Sequence, residues 1–145
     1  MITKGFRDLL NSLVRLLTVT DTTLAEFWGS TMLILMGVWL LLPMDTFRSI
    51  PAYRVMDSVA PEATWGLAAI AVGGFQAFGN LSRSLPSRSH SAFVASVMFG
   101  FVAVLAIRSS SESLLAPICG TASFIEGVIY LRLAFLKVES PSGGS

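Results

Sequence analysis

An all-α integral membrane protein, four transmembrane helices preceded by an amphipathic helix at the interface, is the fold class the sequence predicts. Three observations predict it. Hydrophobic residues make up 53% of the 145 and charged residues 13%, roughly half the charged share of a soluble domain. The mean hydropathy is +0.70. The charges also fall between long apolar runs, as they do where lipid rather than water is the solvent.

Residues 1–20 are read as the interfacial helix. At about 100° per residue, Ile2, Phe6, Leu9, Leu10, Leu13, Val14, Leu16 and Leu17 fall within an arc of about 160°. Lys4, Arg7, Asp8, Asn11, Ser12, Arg15 and Thr18 fill the rest. Lys4, Arg7 and Arg15 make the polar face basic, which suits anionic headgroups. The segment is expected to be retained. Asn11 and Arg15 interrupt what would be the apolar core of a signal peptide, and no small-residue cleavage pattern follows. Lipidation motifs are missing at both ends: Ile2 stands where myristoylation needs Gly, and the last residues are Gly-Gly-Ser.

Residues 21–137 are read as the transmembrane domain. Thr23 and Glu26 have capping-box spacing and open the first span, 24–42, which Pro43 ends. Nineteen residues rise about 28 Å, enough for the hydrocarbon core. Trp28 and Trp39 sit near its two ends, where aromatic belts lie. The connection 43–61 carries Asp45, Arg48, Arg54 and Asp57, with apolar residues and Pro51 suggesting a short surface helix. Pro61 and Glu62 open the second span, 62–81. A hairpin, 82–89, with Arg83, Pro86 and Arg88, leads to the third span, 90–107. Ser109 and Glu112 have the spacing of a second capping box before the fourth span, 114–136. Pro117 lies near that helix's start, where few hydrogen bonds are lost. Residues 138–145 are expected to be a flexible tail.

Lys and Arg set the orientation. The N-terminal segment, the 82–89 hairpin and the C-terminal tail share one side, with Lys4, Arg7, Arg15, Arg83, Arg88, Arg132 and Lys137. The other side has Arg48, Arg54 and Arg108. The richer side is cytoplasmic by the positive-inside rule, which puts both termini there.

Composition excludes several function classes. A net charge of +1 provides no field to hold nucleic acid. One cysteine and one histidine exclude a disulfide framework within the chain and an ordinary Cys/His zinc site. The single histidine, His90, sits at a membrane edge away from the acid of the last span, so no nucleophilic triad is arranged. Phosphate-binding glycine motifs are absent. The expectation is a non-enzymatic protein with no catalytic residues, no cofactor and no metal.

Glu126 stands out, because a carboxylate deep in a span costs several kcal/mol unless protonated, paired or hydrated. Cys119, Ser123, Glu126 and Tyr130 fall along one stripe of the fourth helix, and Ala69, Gly73, Gln76 and Asn80 along one of the second. The two helices run in the same direction, and Gln76 and Glu126 lie at depths that agree within about one turn. The stripes are therefore expected to face each other as an intramembrane polar seam, with Gln76 hydrogen-bonding Glu126. Three roles fit such a seam: a polar clasp between helices, the lining of a pore built from several copies, or a proton- or cation-coupled site.

Small residues predict where helices touch. They are Ala69, Gly73 and Ala77 on the second span, Ala92, Ser96 and Gly100 on the third, and Ala116, Gly120 and Gly127 on the fourth. The bulky first span is expected to face lipid.

Trp65-Gly66 entering a Gly-rich helix with Gln76, the hairpin Arg83-Ser-Leu-Pro-Ser-Arg88, and a last helix ending Tyr130-Leu-Arg132 give residues 65–132 a resemblance. They resemble the small multi-span membrane proteins encoded in bacteriophage and prophage genomes, some of them holin-like. The resemblance implies a bacterial inner-membrane protein that acts by self-assembly in the bilayer, as a homo-oligomer or with a membrane partner. It carries over no functional residue. A structural subunit anchoring a partner complex is the alternative, and a small proton- or cation-linked transporter a third.

Overall fold

The structure, a computed structural model, describes residues 22–44, 46–82, 84–109 and 113–139. Lys4, Arg7, Arg15 and the expected interfacial helix lie outside the described residues, as do 140–145 of the expected tail.

Every regular element among the described residues is helical. Helix α1 is Thr23–Leu40, followed by the short α2, Thr46–Ser49, a 3-10 turn, Pro51–Tyr53, and α3, Arg54–Val59. The long helices α4, Glu62–Ser82, α5, Leu85–Ser109, and α6, Leu115–Glu139, complete the order. Three are long and apolar enough to cross a membrane: Thr23–Leu40, Leu85–Ser109 and the Leu115–Phe135 part of α6. Helix α4 has 21 residues and so rises about 31 Å. It is not among the three, and Gln76 and Asn80 lie in its second half.

Two boundaries differ from the sequence reading. Helix α5 begins at Leu85 with Pro86 in its first turn, a position proline favours, so Arg88 and His90 are helical and the hairpin is shorter than 82–89. Helix α6 continues to Glu139, two residues into the expected tail.

Neighbouring long helices run antiparallel, and small residues set how they meet. A Cβ on Gly37 would come 2.6 Å from the carbonyl oxygen of Gly66, and one on Gly73 would come 2.9 Å from that of Ser30. Helices α1 and α4 are thus in backbone contact. Helices α5 and α6 are tied by a reciprocal pair of hydrogen bonds: Ser96 Oγ donates to the Ser123 carbonyl at 2.8 Å, and Ser123 Oγ to the Ser96 carbonyl at 2.9 Å. Gly79 lies against Ser91, and Trp65 stacks on Phe101 at 5.8 Å, joining α4 to α5. The first long helix therefore does more than face outward: its Leu33, Gly37 and Leu40 edge is buried.

The connection after α1 closes one end of the bundle. The Trp65 indole donates to the carbonyls of Met56 and Ala60, both at 3.2 Å. The amide of Phe47 donates to Glu62 Oε2 at 3.2 Å, and that of Val55 to Ser109 Oγ at 3.0 Å. The main apolar core, with Leu33, Met56, Phe99, Val102 and Cys119, sits beneath this cap. Leu24, Phe27, Leu67, Phe78, Leu81, Phe124, Leu131 and Phe135 are all exposed on the outside. Apolar exposure this extensive exceeds what water-facing surfaces carry.

Candidate functional site

At the end opposite the cap, the bundle is polar inside. Helix α1 carries Glu26, fully buried, one turn above Gly29. Arg88, one turn into α5, meets both Glu26 oxygens through one guanidinium edge, Nη2 to Oε1 at 2.5 Å and Nε to Oε2 at 3.0 Å. Thr22 Oγ1 donates to Glu26 Oε1 at 2.7 Å and accepts from Arg88 Nη2 at 3.2 Å. A forked Arg–carboxylate pair of this kind is both strong and geometrically selective. Glu26 thus serves as an anchor for α5. The capping box expected from Thr23 does not form: Thr22 occupies the N-cap position, with no side-chain cap bond. Ser109 accepts from the Val55 amide of the cap segment and donates to the Leu105 carbonyl at 2.9 Å; Glu112, its expected capping partner, lies outside the described residues.

One turn deeper, three helices converge on Gly29. A Cβ there would overlap the Glu126 carboxylate oxygen Oε1 and stand 3.3 Å from Gln76 Nε2. The missing side chain is what admits the carboxylate between α1 and α4. Gln76 is fully buried and Glu126 is 2% exposed. Gln76 and Glu126 are neighbours, as the sequence reading expects, but the expected hydrogen bond does not reach good geometry. Both amide atoms of Gln76, both of Asn80 one turn along α4, and Glu126 Oε2 are buried with no hydrogen-bond partner among the described residues. Buried polar atoms without partners are few in folded proteins, and each one calls for a physical account.

The expected seam is divided between faces. Cys119 belongs to the apolar core beneath the cap. Ser123 turns to Ser96 on α5, and Tyr130 packs on Phe93 of α5 at 5.1 Å. From the α6 stripe, Glu126 is the residue that lies with Gln76 against Gly29. Among the small residues, Gly73 meets α1, and Ser96, Gly100 and Gly127 form the α5–α6 contact. Ala69 and Ala92 are fully buried, and Ala77 and Ala116 are half-buried. Gly120 has nothing within 4 Å of where a Cβ would stand.

Gly29, Glu26 and Arg88 are the site residues that sequence reasoning misses. A signal existed: Glu26, Gly29, Ser30, Leu33, Gly37 and Leu40 recur at helical spacing on one face of α1. A charge and two glycines on that face mark it as the inner one.

Between α1 and α6 a groove of about 630 Å³ opens to the outside, with Glu126 in its lining. Among the described residues no group of three or more His, Cys, Asp or Glu could hold a metal ion. No family model matches the chain, and no curated protein or solved structure matches it either.

Proposed function

We propose that this chain is a non-enzymatic membrane protein of four spans with both termini cytoplasmic, working through proton or cation binding at Glu126. Helix α4 is the fourth crossing in this reading: it matches its neighbours in length and runs antiparallel to α1 and α5 in backbone-close contact. Lys and Arg counts supply the orientation.

The observation that carries the functional reading is Glu126 itself, a buried carboxylate at the meeting of three helices with an oxygen that no donor among the described residues satisfies. Inside a bilayer such a group binds a proton or a cation, since a bare charge there is costly. The charged groups nearby are Glu26 on α1 and, joined to it, Arg88 on α5; Gln76 and Asn80 on α4 are neutral. With Arg88 forked onto Glu26, Glu126 is left to exchange its proton with an incoming cation.

Two measurements test this. In vesicles, a membrane-soluble carbodiimide is expected to modify Glu126, detected by peptide mass spectrometry, and cations are expected to protect it. In lightly buffered detergent, adding the bound cation is expected to release a proton from the wild-type chain and none from Glu126→Gln. No labelling and no proton release with any cation would overturn the reading.

Self-assembly in the bilayer, the role implied by the phage-protein resemblance, is favoured by a different observation. Gly74 and Gly120 both have open space where a Cβ would stand, so α4 and α6 present bare backbone on the outside. Another helix can approach closely at such positions. Cross-linking in native-like lipid is expected to trap oligomers through Gly120→Cys if this second reading holds.

A further inference from the structure

The groove between α1 and α6 adds the chemical class of the cation. We propose that it takes a hydrophobic organic cation, a quaternary ammonium or phosphonium bearing apolar substituents, entering sideways from the bilayer with its charge on Glu126. This rests on the reading of Glu126 as a cation-binding carboxylate.

The wall decides against small inorganic ions. Met32, Leu35 and Ile125 line it, and besides Glu126 the oxygen-bearing side chain in the lining is Thr31, whose hydroxyl donates to the Phe27 carbonyl at 2.8 Å. A dehydrated metal ion needs several oxygen ligands, and the side chains of the lining supply one carboxylate and one hydroxyl. Anions are disfavoured by the Glu126 carboxylate, and the neighbouring Glu26 keeps Arg88 engaged. An organic cation has the opposite requirements: apolar surface around it and one countercharge.

Size and access agree. A volume of about 630 Å³ is in the range of pockets that hold small organic molecules. The rim is open, with Trp28 and Leu35 each 63% exposed and Ile125 44% exposed. Trp28 adds an aromatic face at the entrance, where a cation gains further attraction from the ring. The carboxylate meets α1 at Gly29, six residues past Thr23 and so about 9 Å along a helix that rises about 1.5 Å per residue. A ligand must therefore cross apolar surface to reach it.

Equilibrium dialysis of radiolabelled tetraphenylphosphonium against the full purified chain in detergent tests the proposal. Saturable binding near one per chain is expected, weakened at least tenfold in Glu126→Gln. Ile125→Trp, which fills the groove from its rim, is expected to weaken it similarly, with circular dichroism and gel filtration confirming both variants fold. Tetraphenylborate, of the same shape and opposite charge, is expected not to compete. Equal binding by Glu126→Gln, or equal competition by tetraphenylborate, would mean partition into apolar surface and would overturn the proposal. Proton release triggered by sodium or potassium but not by tetraphenylphosphonium would overturn it while leaving the cation-binding reading intact. Co-purified amine lipid that tetraphenylphosphonium cannot displace would also overturn it. Failure of both carbodiimide labelling and all proton release would remove the two together.

Discussion

Glycines in this chain do different jobs depending on the atom a methyl group would strike. At Gly37 the obstacle is the backbone of α4, the Gly66 carbonyl and the Ile70 amide, neither of which can swing aside. Gly37→Ala is expected to push α1 and α4 apart and cost about 1–3 kcal/mol, the usual penalty of overpacking, read as a lower melting temperature in detergent. At Gly29 the obstacle is the end of the Glu126 side chain, which can rotate. Gly29→Ala is expected to cost less stability than Gly37→Ala but to move the carboxylate, changing carbodiimide labelling of Glu126. Gly74 has open space around it, and Gly74→Ala is expected to be neutral or to gain up to about 1 kcal/mol from helix propensity. If the three alanine variants melt alike, close backbone approach is not what these glycines provide.

Among the elements, α1 is held to α5 by charge and to α4 by shape. The Glu26 side chain is 1% exposed and that of Arg88 16%, so the pair is shielded from the screening that weakens surface ion pairs. Arg88→Gln leaves a buried carboxylate without its countercharge, a loss of up to about 3–5 kcal/mol for a fully buried pair and somewhat less here because Arg88 touches the outside. The double variant Glu26→Gln/Arg88→Gln removes both charges and is expected to melt above Arg88→Gln alone. If the double is the worse of the two, the pair acts by something other than mutual neutralisation. The cap at the other end offers a pH test. Burial raises the Tyr53 phenol above its ordinary value, and the nearby Cys119 and Glu62 raise it further. In the unfolded chain the phenol ionises at its ordinary pKa of about 10. The folded chain therefore holds its proton longer, and stability falls as pH climbs from the unfolded value through the folded one. Ultraviolet titration is expected to show a late tyrosine ionisation that Tyr53→Phe removes.

For the whole molecule the decisive quantity is the number of crossings. The proposed four-span arrangement puts Ser58, in α3, and Ser84, between α4 and α5, on opposite sides. If α4 does not cross, they share a side. Both positions are exposed, and the natural cysteine, Cys119, is buried, so single cysteines at 58 and 84 report cleanly. Membrane-impermeant maleimide applied to intact cells is expected to label Ser58→Cys and to spare Ser84→Cys until the membrane is opened. Labelling of both from outside would remove the second crossing and with it the assigned orientation.

How much was legible in the residues alone follows from which forces are local. Helix existence, a short helix in the connection and the neighbourhood of Gln76 and Glu126 follow from apolar run length, Pro and Gly punctuation and depth counted at a fixed rise per residue. Partner choice between helices does not. The sequence suggests α4 against α6 and leaves α1 to the outside, whereas the chain packs α1 on α4 and α5 on α6. Each apolar helix has several faces that could be buried, and hydrophobicity, being non-directional, does not choose among them. What chooses is contact at atomic range: Gly37 against Gly66, Ser96 against Ser123, and Arg88 forked onto Glu26. By itself the sequence determined an apolar, all-helical chain with a carboxylate sunk in its last helix. Only the tertiary structure decided that Gly29 makes room for that carboxylate and that a groove opens beside it, because both depend on three helices meeting at one level.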